Sequence, residues 1–110
     1  MSYYAEGKGF IRFKNFPYEK EWVVREPFGK DKGFCIEPHH KILGQFYISY
    51  DGKYSGYSDV KAILEEVAET ADIDEGWIEF AGEEWGDFWR FIWIDGEWVC
   101  QDGEVVYEEN

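Results

Sequence analysis

The clearest signal in the chain is a change of hydrophobic period. From Gln45 to Tyr50 apolar and polar positions alternate, with Phe46, Ile48 and Tyr50 on one side and Tyr47 and Ser49 on the other, which predicts a strand. From Val60 to Ala71 the spacing becomes helical, through Val60, Ile63, Leu64, Val67, Ala68 and Ala71, while Glu65, Glu66 and Glu69 fall outside that stripe. One amphipathic helix is therefore predicted over 58–71, capped by Ser58 or Asp59, with an apolar face to bury and an acidic face for solvent. Upstream, 5–14 alternates as a first strand, Phe10 against Ile11 and Arg12 against Phe13, with Gly7 and Gly9 pointing to a bend or bulge. Residues 15–45 hold Pro17, Pro27 and Pro38 and the Gly29-Lys30-Asp31-Lys32-Gly33 turn, with short strands expected around Trp22-Val23-Val24 and Phe34-Cys35-Ile36.

Downstream of the helix the pattern predicts an antiparallel meander over 77–108, with strands near 77–82, 87–94, 97–101 and 104–108. Asp95-Gly96 and Asp102-Gly103 have the residue types that accept the positive φ angles of a two-residue hairpin. Such loops fix a register: Trp93 opposite Trp98, Phe91 opposite Cys100, Cys100 opposite Val105 and Trp98 opposite Tyr107. A four-residue loop Glu83-Glu84-Trp85-Gly86 then sets Ile78 against Phe91, Phe80 against Trp89 and Glu79 against Arg90. One face of the meander becomes uniformly apolar, and the single helix is expected to cover it. The other mixes Trp77, Phe88, Ile92, Ile94, Val99 and Val106 with Glu79, Arg90, Glu97, Gln101, Glu104 and Glu108. The expected fold class is α+β, in a single domain over 1–110.

Charge sharpens this picture. The net charge is −13, yet residues 1–64 carry ten Lys/Arg against eight Asp/Glu, so the excess lies in 65–110, with sixteen Asp/Glu and Arg90 alone opposing them. That field repels phosphate backbones and attracts basic surfaces, so direct nucleic-acid binding is not expected. No leader-like N-terminus and no membrane-length apolar run is present, and Cys35 and Cys100 read as free thiols, which together point to the cytoplasm.

Candidate chemistry is sparse. Cys35, Glu37, His39 and His40 are metal-ligand types, but they lack the paired spacing of structural zinc, and adjacent histidines in an extended segment are expected to point in opposite directions. Glu83, Glu84 and Asp87 beside Trp85 and Trp89 resemble a hydrolytic carboxylate pair only superficially, because a hairpin tip exposes them alike. No catalytic residue, metal or other cofactor is expected. The expected contact surface is the mixed sheet face, with Trp77, Phe88 and Ile92 as anchors and Glu79, Glu97, Glu104 and Glu108 as charges for a basic protein surface, including that of a nucleic-acid-binding protein. The alternatives are a homodimer that buries this face, in a structural or accessory role, and a small metal-dependent or hydrolytic enzyme.

The opening Ser2-Tyr3-Tyr4-Ala5-Glu6-Gly7-Lys8-Gly9-Phe10-Ile11, the central Tyr50-Asp51-Gly52-Lys53-Tyr54, and the ending Trp89 to Trp98 with Gly103 to Glu108 resemble small acidic proteins of Gram-positive phages and integrative mobile elements. That group supplies no catalytic residue to carry over. The resemblance implies a context, since small acidic proteins of mobile elements are often inhibitors of host defence or of nucleic-acid enzymes, anti-CRISPR proteins and DNA mimics among them.

Overall fold

A computed structural model of the chain describes residues 3–16, 22–54 and 56–103. The elements in chain order are β1 (Tyr4–Phe13), α1 (Trp22–Phe28), β2 (Phe34–Pro38), β3 (Gln45–Lys53), α2 (Tyr57–Thr70), β4 (Ile73–Gly82), β5 (Phe88–Ile94) and β6 (Glu97–Asp102). The strands form one sheet in the order β2-β3-β1-β4-β5-β6, antiparallel at every junction. The class is α+β.

The connectivity explains where the helices lie. β1 and β2 are parallel with β3 between them, and β3 and β4 are parallel with β1 between them, so α1 and α2 are each the crossover of a split βαβ unit. β1 and β3 run in opposite directions and cross over in opposite directions. Right-handed crossovers therefore put both helices on the same side of the sheet. Val24 and Phe28 of α1 and Val60, Ile63, Leu64 and Val67 of α2 join one buried cluster with Ile11, Phe46, Ile48, Ile78, Phe80, Phe91 and Trp98. All these sheet residues share one parity, here called the inner face. Residues of the other parity form the outer face, against which no described helix packs.

Aromatic rings organise the inner face around Phe80. Its ring stacks on Trp89 (centroids 5.6 Å, 9°) and meets Tyr50 and Phe91 edge-on at 5.6 and 6.1 Å. Gly7 makes room for this ring, because a Cβ there would lie 2.8 Å from it. Gly9 has a stricter reason: a Cβ would come within 2.0 Å of the Trp77 carbonyl oxygen. The expected bend at Gly7 and Gly9 is thus replaced by close approach, and the one register shift against β4 falls between Arg12 and Phe13.

In the meander Ile78 lies opposite Phe91, Phe80 opposite Trp89, Glu79 opposite Arg90, Phe91 opposite Cys100 and Trp93 opposite Trp98. Asp95 and Gly96 take φ angles of 49° and 81°, the left-handed pair that the hairpin needs. At the second Asp-Gly pair, Asp102 lies opposite Trp89 and the Gly103 N–H donates to the Phe88 carbonyl at 2.7 Å. The strand expected over 104–108, with the Cys100–Val105 and Trp98–Tyr107 pairings, lies outside the described residues.

Three expectations change. Trp22-Val23-Val24 opens a helix rather than a strand, since Val24 and Phe28, four residues apart, both reach the core, and Gly29 closes the turn by donating to the Arg25 carbonyl at 2.9 Å. The helix count thus rises from one to two among the described residues. α2 starts one residue early, at Tyr57, with Gly56 (φ 123°) at its N-cap and no side-chain cap from Ser58 or Asp59; Asp59 lies in the first turn, where the helix dipole favours it. β4 begins at Ile73, ahead of the expected Trp77, because Ile73 pairs with Phe13 of the central strand.

Candidate functional site

Cross-strand register assembles the outer face from residues far apart in the chain. Tyr47 of β3 lies opposite Phe10 of β1, Phe10 opposite Trp77 of β4, Trp77 opposite Ile92 of β5, and Ile92 opposite Val99 of β6. Five apolar side chains thus form one unbroken row across five strands. Phe10 and Trp77, at its centre, meet edge to face with centroids 5.7 Å apart, and Tyr47 at one end is 49% exposed. Phe10, Trp77, Ile92 and Val99 are half-buried, and no described helix covers the row.

Charged rows flank it on both sides. On one side Lys8 lies opposite Glu79 and Glu79 opposite Arg90, whose Nε–H donates to Gln101 Oε1 at 2.8 Å. On the other, Arg12 donates from Nη2 to Glu75 at 2.7 Å and from Nε to Asp74 at 3.0 Å. The flanks therefore alternate in sign. The acid concentrates elsewhere: Asp59, Glu65 and Glu69 are exposed on α2, and Glu83 and Glu84 on the β4–β5 loop.

The expected contact residues divide accordingly. Trp77 and Ile92 are neighbours in the apolar row, Glu79 sits in the flanking charged row, and Phe88, 42% exposed, stands opposite Ala81 at one end of the face. Phe88, Glu79, Arg90 and Gln101 line part of a depression of about 380 Å³ at that end. Glu97 is exposed opposite Ile94 at the hairpin end, away from Phe88. Glu104 and Glu108 lie outside the described residues. Val99 belongs to the expected mixed face, whereas Phe10 and Tyr47 are additions to it, although the alternation of Phe10 with Ile11 and of Tyr47 with Phe46 already places both rings opposite the core.

The other candidates acquire local structural roles. The Glu83 carboxylate accepts from the Tyr4 N–H at 2.9 Å, and Asp87 accepts a short hydrogen bond from the Tyr3 hydroxyl, which raises the Tyr3 pKa. The β4–β5 loop is therefore fastened to the start of β1, and its carboxylates are not alike as expected for a hairpin tip. His39 and His40 do not point apart: they lie beyond β2, their rings stack at 5.1 Å, and His39 Nδ1 accepts from the N–H groups of Lys41 and Ile42. Cys35 is exposed at an outer-face position of β2, and no group of three or more His, Cys, Asp or Glu among the described residues could hold a metal ion. Cys100 is half-buried against the core, which raises its thiol pKa.

No described helix is long and apolar enough to cross a membrane. Compared with models of protein families, with curated proteins and with solved structures, the chain matches none.

Proposed function

We propose that this chain is a non-enzymatic interaction protein of the cytoplasm that makes contact through the outer face of its sheet. The single observation that carries this reading is the apolar row Tyr47–Phe10–Trp77–Ile92–Val99, half-buried and covered by no described helix, on a sheet whose inner face is closed by both helices. Aromatic anchors in such a row gain affinity from desolvation, and the flanking charges set orientation. The net charge of −13 adds long-range steering toward basic surfaces and away from phosphate backbones. The specific form favoured by that charge and by the likeness to mobile-element proteins is an inhibitor, or nucleic-acid mimic, of a protein that handles nucleic acid.

Affinity capture from a Gram-positive lysate, with low-salt and then high-salt washes, tests this reading. The expected result is a basic nucleic-acid-handling protein held at low salt and released at high salt, since screening weakens charge-steered contacts. A variant carrying Trp77→Ser and Ile92→Ser should retain several-fold less of it. Reversing Glu97, Glu104 and Glu108 to Lys should lower retention while leaving folding intact. Retention that none of these substitutions alters would count against the outer face.

A further inference from the structure

We propose that the outer face is occupied by a second copy of this chain, related by a twofold axis that runs parallel to the strands between β1 and β4. This rests on the reading of the outer face as the contact surface and names its occupant.

The axis position follows from the strand order. β1 and β4 are the middle strands of the six, so an axis between them leaves three strands on either side. Turning a second copy over about that axis lays its β4 on β1 and its β1 on β4. The side chains then match row by row. Phe10 meets the Trp77 of the second copy, Lys8 meets its Glu79, and Arg12 meets its Glu75, because each of these pairs is already in register within one chain. The Arg12–Glu75 ion pair of one copy thereby faces the same pair reversed, closing a four-charge cluster of alternating sign, and Lys8–Glu79 closes another on the opposite side of the apolar row. One strand further out in the same row, Tyr47 of β3 comes over Ile92 of β5.

Other occupants fit this pattern less well. A twofold axis along the apolar row would lay Lys8 on the Arg12 of the second copy, a like-charge contact. A basic partner has to reach Glu75 and Glu79 while sparing Lys8, Arg12 and Arg90, and a nucleic acid the reverse, whereas a second copy answers both signs at once. Isologous interfaces need a surface complementary to itself, and this face is one. Its size also suffices. Six strands about 4.8 Å apart, with a central strand spanning about 34 Å, give a face of roughly the 800 Å² per partner that a stable interface buries. Pairing the outer faces turns both α2 helices outward, with Glu65 and Glu69 in solvent.

Charge reversal in matched variants tests the arrangement. Arg12→Glu makes the Arg12–Glu75 cluster wholly acidic, and Glu75→Arg makes it wholly basic; both residues are exposed, so either variant should fold, as circular dichroism can verify. Sedimentation velocity should show a wild-type dimer, self-association at least about tenfold weaker for each variant alone, and a dimer regained in their equimolar mixture. A monomeric wild type, a mixture no stronger than its components, or wild-type binding of a labelled oligo-dT strand would overturn the second copy as occupant. If the wild type is monomeric but Trp77→Ser with Ile92→Ser still abolishes capture of a lysate protein, the contact surface stands and only its occupant changes. If that variant alters neither experiment, both fall.

Discussion

The inner and outer faces of the sheet are made from the same strands, one residue out of phase, and they meet opposite fates. Inward, Phe46, Ile48, Ile78, Phe80 and Phe91 are almost fully buried beneath α1 and α2. Outward, Phe10, Trp77 and Ile92 are only half-buried, by one another and by the charged rows beside them. The helices decide the difference. Two right-handed crossovers starting from antiparallel neighbours leave the same side twice and close it. Apolar residues on the closed side therefore stabilise the fold, whereas those on the other side carry the proposed association. Substitutions at the two faces should separate stability from association.

The largest effect belongs to the inner face. Phe80→Ala removes a ring that four other rings contact and should cost about 3–5 kcal/mol in urea unfolding. Next, Gly9→Ala forces a methyl group against the Trp77 carbonyl, so β1 and β4 must move apart; the expected loss is about 1–3 kcal/mol. Trp77→Ser on the outer face should cost less than Phe80→Ala, about 1–2 kcal/mol with its Phe10 contact included, while strongly reducing association. A stability loss there equal to that of Phe80→Ala would mean that the outer face is core after all.

Tyr54 sharpens the contrast through pH. Desolvation against the inner-face rings pushes its pKa up to about 12, although its hydroxyl accepts a hydrogen bond from Trp89 Nε1–H at 3.1 Å. The folded state then holds the Tyr54 proton at a pH where the unfolded chain has lost it. Stability should fall as pH rises from about 10 to 12, and Tyr54→Phe should flatten that decline in urea titrations. The smallest effect is expected from Arg12→Glu, whose exposed ion pairs with Asp74 and Glu75 are screened by solvent, so the urea midpoint should barely move.

What could be read from sequence followed the range of the interactions. The α2 periodicity and the β5–β6 register are local, fixed by helical spacing and by the Asp95-Gly96 loop. Pairing of β1 with β3 and β4 joins residues as far apart in the chain as Ala5 and Gly82 without a short loop to set the register, so the row through Tyr47, Phe10 and Trp77 could not be assembled beforehand. Local preference misled at α1, where β-branched Val23 and Val24 favour a strand but the spacing of Val24 and Phe28 commits the segment to a helix on the core. The Gly7 and Gly9 positions likewise depend on what lies across the sheet, the Phe80 ring and the Trp77 carbonyl.

The most direct measurement of the central claim is oxidative footprinting of side chains by mass spectrometry, comparing dilute protein with protein at high concentration and in a Gram-positive lysate. Phe10, Tyr47, Trp77 and Ile92 should gain protection together in at least one of these conditions, while Tyr57, exposed on α2, keeps its reactivity. Unchanged reactivity along the row at every concentration and in lysate, or protection confined to the α2 side, would contradict the assignment of the outer face as the working surface of this protein.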